Sequence, residues 1–350
     1  MNNEKIVIAL TKKGAQLAEK LANHLKADIK APRRFMNDND PHPGFLGPVA
    51  EEIQAAFNNY SALILIMATG IAVRSIAPVL RSKQSDPAVL VIDEEGKFII
   101  SLLSGHWGGA NQLAQTVAKY LKGTAVITTA SDINNLPSLD LVAKEQKMEI
   151  DRPDLLPRFA GAIVNGEPLV VWDQWGVELN WPDNVRVVKD KPPQFTAEEK
   201  LLVILGFQEP PVLLAGMNVL ALRPRCLTVG VGCCKGVSGV RIAGAIRRYF
   251  REHYWSIRSI QAIATIDLKE EEPGITEACE ELGVELLAYT KAQLEKLMPG
   301  LKKSEFVQET IGVGGVCEPA AILGANKGKL IGPKVSMGQI TVAVALDSSR

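Results

Sequence analysis

Short runs of purely apolar residues, each followed by a turn and an amphipathic stretch, set the tightest limit on how this chain can fold. Lys5 to Leu10 (KIVIAL) and Ala62 to Met67 (ALILIM) are apolar on both faces once past Lys5, so a strand formed there has to be covered on both sides. Gly14 to Leu25 then carries apolar residues at helical spacing, and the turn Ala68-Thr69-Gly70 leads into a helix reaching to about Pro78. Val89 to Asp93 and Phe98 to Leu102 read as strands paired across Glu94-Glu95-Gly96. The glycine-rich turn Ser104 to Asn111 feeds a helix from Gln112 to Leu121, and the strand Ala125 to Thr129 closes the unit at Ala130-Ser131-Asp132. This alternation is that of a layered α/β domain.

From Leu136 to Pro224 proline and tryptophan rise and the runs shorten, which predicts a small β-rich middle domain. A second α/β pattern starts at Arg225. Its predicted elements are a strand at Leu227 to Val231, the turn Gly232 to Gly236, a helix from Ser238 to Glu252, a strand from Ser259 to Ile266, a helix from Ile275 to Leu282, and strands at Glu285 to Tyr289 and Ile340 to Leu346. The expected architecture is α/β: two layered α/β domains, 1–135 and 225–350, joined by a small β-rich middle domain, 136–224.

The 39 basic and 39 acidic side chains cancel, so a global electrostatic grip on nucleic acid is not expected, local basic patches aside. With 47% hydrophobic and 22% charged residues, disorder and coiled coil are excluded. The 5 cysteines, Cys226, Cys233, Cys234, Cys279 and Cys317, give neither a disulfide framework nor zinc knuckles and favour a reducing compartment. The opening residues MNNEKIVIALTKKG lack the apolar stretch and small-residue cleavage site of a signal peptide, so none is expected, and no apolar run approaches the roughly 20 residues of a membrane span. A cytoplasmic location is expected.

Glycine-rich turns between strand and helix, at Gly105 to Asn111, Gly230 to Gly236 and Gly312 to Ala321, are expected at the carboxyl edge of their sheets. There, free backbone N–H groups suit carboxylate or phosphate. Nucleotide fingerprints fit poorly: in Gly230-Val231-Gly232-Cys233-Cys234-Lys235-Gly236 the third glycine comes one residue late for G-x-G-x-x-G, and no P-loop is present. His106, flanked by Gly105 and Gly108, is either a general acid or base near neutral pH or a turn-stabilising residue. His42 lies in a proline-rich loop, and His24 and His253 lie near helix ends. Cys233 and Cys234 lack the companions of a metal site. Lys235 is either an anion contact or a solvated lysine. Glu318 falls in the first turn of a helix, where a carboxylate is favoured in any case. No G-x-S-x-G or H-E-x-x-H occurs, which disfavours serine hydrolase and zinc protease.

The segments Ala68 to Arg74, Asp86 to Val89, Leu103 to Asn111 and Ile127 to Asp132 resemble the amino-terminal domain of the CbiG family. Independently, Val229 to Cys233, Ala264 to Lys269, Glu272-Pro273-Gly274, Gly312-Val313, Val316 to Ala321, Pro333-Lys334 and Thr341 to Ala343 resemble the CbiG/CobE carboxyl-terminal domain. Cys234, where relatives often carry a basic residue, and Pro319 depart from that pattern. The resemblance implies cobalt-precorrin-5A hydrolase activity in anaerobic cobalamin biosynthesis: opening of the δ-lactone, release of acetaldehyde and formation of cobalt-precorrin-5B. The cobalt is carried by the substrate, so no cofactor and no protein metal site are implied.

On that basis His106 is the expected base, Asp132 its orienting acid and Glu318 a competing base in the other domain. The Gly108 and Gly109 N–H groups and the Asn111 amide are the expected oxyanion donors. Substrate contacts are expected from Thr69, Gly70, Arg74, Ser104, Gly105, Gly108, Gly109, Asn111, Gly232, Lys235 and Lys334, in a cleft between the α/β domains. The substrate's carboxylates call for cations, with Arg33, Arg34, Arg81 and Arg241 as further candidates. A homodimer and transient contacts with neighbouring pathway enzymes are partners to look for. The competing readings are a non-catalytic corrinoid carrier or scaffold and a generic α/β sugar- or nucleotide-binding protein.

Overall fold

The computed structural model describes residues 4–36, 44–82, 85–106, 108–129, 134, 136–189, 191–213, 215–298 and 314–348. The chain forms two compact units, one through Lys144 and one from Glu145.

In the first unit, β1 (Lys5–Ala9), α1 (Lys12–Leu25), β2 (Asp28–Lys30), α2 (Val49–Asn59), β3 (Ala62–Ile66), α3 (Thr69–Ile76), β4 (Ala88–Ile92), β5 (Phe98–Leu103), α4 (Ala110–Leu121), β6 (Thr124–Val126) and α5 (Leu139–Glu145) follow in order. The sheet runs β2-β1-β3-β4-β5-β6. Val7, Ile64, Ile66, Leu90 and Ile92 pack on one face with Leu21 of α1 and Ala114 and Val117 of α4. Ile6, Ile8, Leu63, Leu65 and Val91 pack on the other with Ile53 and Phe57 of α2 and Ala72 and Ile76 of α3. The purely apolar runs thus find cover on both faces, each large side chain stabilising the fold by about 1.5–3 kcal/mol. Thr11 starts α1 by accepting the Gly14 N–H at 3.0 Å.

β1 to β4 run parallel, but β5 is antiparallel to β4, with Val89 beside Leu103 and Ile92 beside Ile99. Gly96, at φ 69, supplies the left-handed residue of the connecting turn. β6 runs parallel to β5. This reversal decides where the glycine-rich turn lies.

The second unit holds two sheets. β7 (Met148–Ile150), α6 (Leu156–Asn165), β8 (Leu169–Asp173), β9 (Val185–Val188), β10 (Leu201–Leu205) and β11 (Asn218–Pro224) build the order β7-β11-β10-β8-β9. All its pairings are parallel except that of β7 with β11. The β-rich stretch is therefore a largely parallel sheet, fully buried at β8 and β10. β12 (Leu227–Cys233), α7 (Gly239–Glu252), β13 (Ile260–Ile266), α8 (Pro273–Leu282), β14 (Glu285–Tyr289), α9 (Lys291–Glu295), α10 (Cys317–Gly324), β15 (Lys329–Met337) and β16 (Ile340–Leu346) build the order β14-β13-β12-β16-β15. Val229, Val231 and Ile263 pack with Ile242, Ile246, Tyr249 and Phe250 of α7 and Ile275 and Ala278 of α8.

Only Arg225 and Cys226 separate β11 from β12. Glu149 binds Arg225 at 3.2 Å and Arg258 at 2.9 Å, the Glu209 N–H donates to Tyr254 O at 2.7 Å, and the Ser256 N–H donates to Phe207 O at 2.8 Å. Arg223, 1% exposed, donates to Asp151 Oδ2 at 3.2 Å, Gly206 O at 2.9 Å, Gln208 O at 3.0 Å and Glu209 Oε1 at 2.6 Å. No helix among the described residues is long and apolar enough to cross a membrane.

Candidate active site

In the first unit the chain leaves β5 at Ser104, which takes left-handed backbone (φ 56) and donates its hydroxyl to Asp86 O at 2.9 Å. It then folds back on itself. The Gly109 N–H donates to His106 O at 3.0 Å, the Ala110 N–H to Ser104 O at 3.2 Å and the Asn111 N–H to Gly105 O at 3.0 Å. A β-carbon on Gly108 would meet Ser104 Cβ at 2.5 Å, and one on Gly105 would meet Asn111 Oδ1 at 2.8 Å, so side chains are excluded at both. The buried Asn111 side chain accepts from Ser101 Oγ at 2.6 Å and donates to Thr129 Oγ1 at 3.4 Å, tying β5 to the chain beyond β6.

The turn presents His106 to Ser138 and Asp140 at the start of α5. His106 Nδ1 lies 3.0 Å from Ser138 Oγ and 4.0 Å from Asp140 Oδ1. The Ser138 hydroxyl bonds Asp140 Oδ1, which also accepts the Leu141 N–H at 3.0 Å. The His106 and Asp140 side chains are 10% and 12% exposed. A mostly enclosed imidazole linked to a carboxylate through a hydroxyl is an arrangement that can move a proton.

Several expectations change here. Among the described residues, Asp140 is a carboxylate beside His106; Asp132, expected to orient the ring, lies outside the described residues, as do Trp107, His42, Gly312 and Val313. Of the expected oxyanion donors, the Gly109 N–H is engaged within the turn and the Asn111 amide with Ser101 and Thr129, leaving the Gly108 N–H without a partner among the described residues. Because β5 is reversed, its carboxyl end lies beside the amino ends of β3 and β4. Thr69 and Gly70 follow β3 at the opposite edge, about 17 Å away along strands of this length, and do not join the His106 turn. Arg33, Arg34 and Arg74 are exposed, Arg34 stacks on Phe35 at 4.8 Å, and Arg81 donates to Asn58 at 2.9 Å.

The second unit gathers another group at the carboxyl end of β12. Gly230 lets α10 cross it: a β-carbon there would lie 1.7 Å from Cys317 O. Glu318, 9% exposed, accepts the Lys334 N–H on Oε1 at 3.0 Å. Pro319 occupies the first helical turn, where a missing N–H costs nothing. Gly232 accepts the Thr341 hydroxyl at 3.2 Å. The exposed Lys235 follows in a turn braced by Glu272, which accepts the Gly236 N–H at 2.7 Å and Lys269 Nζ at 2.8 Å. The Lys269 bond, then the Gly236 bond, hold the Glu272 carboxyl below its ordinary value. Arg241 donates to Gln339 Oε1 at 3.2 Å, and the Cys234 N–H donates to Gln339 O at 3.0 Å. Gly232, Lys235, Arg241, Glu318 and Lys334 are thus brought to one end of this sheet.

Burial pushes the Cys317 thiol up to about 11, against the opposing pull of the Thr341 hydroxyl and Lys334. Burial likewise raises Tyr249 to about 12, its hydroxyl donating to Pro333 O at 2.8 Å. Among the described residues no three His, Cys, Asp or Glu side chains are grouped to hold a metal ion. Ser138 and Asp140 escaped the sequence reading, the available signal being a serine and an aspartate opening the helical stretch from Leu139.

Three sheets in chain order, with polar strand-to-helix turns in the first and third, define a modular α/β protein. Family models identify the modules: cobalamin synthesis G N-terminal over residues 51–132, cobalamin biosynthesis central region over 137–224 and cobalamin synthesis G C-terminus over 227–345. The chain belongs to the CbiG family of cobalamin biosynthesis. It is 32% identical over 355 residues to a cobalt-precorrin-5A hydrolase of Priestia megaterium, covering 97% of this chain and 94% of that one. It is 31% identical over 349 residues to a cobalt-precorrin-5A hydrolase of Salmonella typhimurium, covering 97% of each. A solved structure of a cobalamin biosynthesis protein G homolog from Sulfolobus solfataricus covers 98% of this chain and 97% of its own, at 21% identity and a TM-score of 0.39. None of these matches favours the carrier reading.

Proposed function

We propose that the protein is a cobalt-precorrin-5A hydrolase. It opens the δ-lactone of the macrocycle and releases the two-carbon fragment as acetaldehyde, giving cobalt-precorrin-5B. The observation that carries this reading is near full-length identity of 32% and 31% to two proteins of that name.

Water adds to the lactone carbonyl as a base removes its proton, and the tetrahedral oxyanion needs a hydrogen-bond donor. Collapse of this intermediate leaves a carboxylate and an alcohol. The alcohol proton is then taken, the carbon–carbon bond breaks, acetaldehyde leaves, and the bonding electron pair passes to the electron-poor metallated macrocycle. His106 is the base and the Gly108 N–H the oxyanion donor. In the second unit taken by itself, Lys235, Arg241 and Lys334, gathered at one end of its carboxyl-terminal sheet, are cations suited to carboxylates. Cobalt enters with the macrocycle, and the protein supplies no metal of its own. The reaction belongs to the cytoplasm, where the cysteines, all free thiols, stay reduced.

Anaerobic incubation with cobalt-precorrin-5A, with acetaldehyde assayed and the corrinoid followed by mass, tests the reading. Stoichiometric acetaldehyde with loss of the lactone is expected; binding without acetaldehyde refutes it. His106→Gln should lose turnover while keeping its fold by circular dichroism, and undiminished release would remove His106 from the chemistry.

A further inference from the structure

We infer that Tyr249 and Glu318 are positioning residues that grip one peptide unit, Pro333–Lys334, from opposite faces of the carboxyl-terminal sheet and so hold Lys334 for a carboxylate of the macrocycle. The inference rests on the hydrolase reading for the identity of that ligand, and it assigns Glu318 to the backbone rather than to proton transfer.

Leu330 of β15 lies beside Ala345 and Val335 beside Val342, with a shift of register on either side of Gly332, so five steps along β15 answer three along β16. Bulging of this kind takes a peptide out of the ladder. Here that peptide is Pro333–Lys334, and side chains meet both its polar groups. The Tyr249 hydroxyl donates to Pro333 O at 2.8 Å, and the Lys334 N–H donates to Glu318 Oε1 at 3.0 Å. In a trans peptide these two groups point in opposite directions, and the two side chains come from opposite sides. Tyr249 of α7 packs with Val342 and Val344, whereas Ala321 of α10 packs with Ala345, the next position along β16. Gly332 permits the close approach, since a β-carbon there would meet the Tyr249 hydroxyl at 2.5 Å. Tyr249 is fully buried and Glu318 is 9% exposed, so breaking either bond would strand a buried polar group. Lys334, partly buried, has no carboxylate partner among the described residues. It stands two positions before Ser336, which lies beside Thr341, itself beside Gly232, and so belongs to the end of the sheet where Lys235 and Arg241 gather. An ammonium carried on a peptide that is already fixed loses less freedom on binding an anion.

The test is a double-mutant cycle on the full chain, with affinity for cobalt-precorrin-5A read as KM where acetaldehyde is released and as Kd where it is not. Lys334→Met should weaken affinity about 10- to 100-fold, the range of a hydrogen bond to a charged group, with kcat little changed. Tyr249→Phe, which removes the hydroxyl and keeps the ring, should weaken it about 3- to 10-fold, and Glu318→Ala should do the same. Glu318→Gln keeps an acceptor for the Lys334 N–H and should stay close to the parent. In a Lys334→Met background, Tyr249→Phe and Glu318→Ala should have no further effect, whereas general damage to the fold would add to the loss. Additive losses overturn the inference, as does an unchanged affinity in Lys334→Met. A Glu318→Gln protein that loses kcat at constant KM also overturns it, by making Glu318 a base. Binding without acetaldehyde, with a non-additive cycle, upholds the grip on Lys334 and refutes the hydrolase reading. Acetaldehyde release with an additive cycle does the reverse, and a chain that does not bind the macrocycle refutes both.

Discussion

Gly230→Ala should damage the second unit out of proportion to the single methyl group it adds. The new β-carbon would sit 1.7 Å from Cys317 O and 2.6 Å from its carbonyl carbon, where ordinary contact begins at 3.4 Å. Neither side gives easily. Gly230 is fixed between Ala264 and Ala343 on the neighbouring strands, and α10 is anchored by the fully buried Ala320 and Ala321. The helix start must move, taking Glu318 off the Lys334 N–H. Overpacking costs about 1–3 kcal/mol, and a buried carboxylate deprived of its donor about 1.5–3 kcal/mol more. A loss of about 3–5 kcal/mol, at about 2–4 °C per kcal/mol for a unit of this size, lowers Tm by roughly 10 °C. Paired thermal melts by circular dichroism measure it. A Gly230→Ala protein melting with its parent would show that α10 does not press on β12 as described.

Arg223→Met should lower the urea midpoint by the equivalent of about 3–5 kcal/mol, because Asp151 and the Gly206 and Gln208 carbonyls lose a buried donor; an unchanged midpoint would count against this role. Glu272, whose native carboxyl lies below the ordinary value of 4.5, contributes stability that is fully present above that value and lost as the pH falls through the lowered one. The stability gap between the protein and Glu272→Gln should therefore be widest near neutrality and close on acidification, and a gap independent of pH would refute the assignment. Iodoacetamide at neutral pH should alkylate the exposed Cys234 first, leaving the buried Cys226, Cys279 and Cys317 slow. Peptide mass mapping reads the order, and rapid labelling of Cys317 would contradict its burial.

The strands at Lys5–Ala9 and Ala62–Ile66 were legible in the sequence because a run apolar on both faces has few other uses. So was the β4–β5 turn, through Glu95 and Gly96. The direction of β5 within the whole sheet is a tertiary fact, and without it the Thr69 and Ser104 turns look like parts of one edge. The parallel sheet of the middle region was hidden by short strands set among prolines and tryptophans. β15 carries Gly332, Pro333 and Lys334 inside its span, which break the apolar alternation by which a strand is recognised. In the site, His106 was visible through its flanking glycines and Glu318 through its place ahead of an apolar helix. Ser138 and Asp140 were not: they lie 32 and 34 positions from His106, in a stretch whose texture resembles the start of another domain, and only folding brings them to the ring.

The two-residue passage from β11 to β12 has a consequence for how the second unit comes apart. With no linker to act as a hinge, and with main-chain bonds joining Phe207 and Glu209 to the Tyr254–Ser256 segment, loss of either sheet strips bonding partners from the other. Heat should therefore melt the central and carboxyl-terminal sheets in a single cooperative step, and a scissile bond introduced at Pro224 should release fragments that hold together until that step is reached.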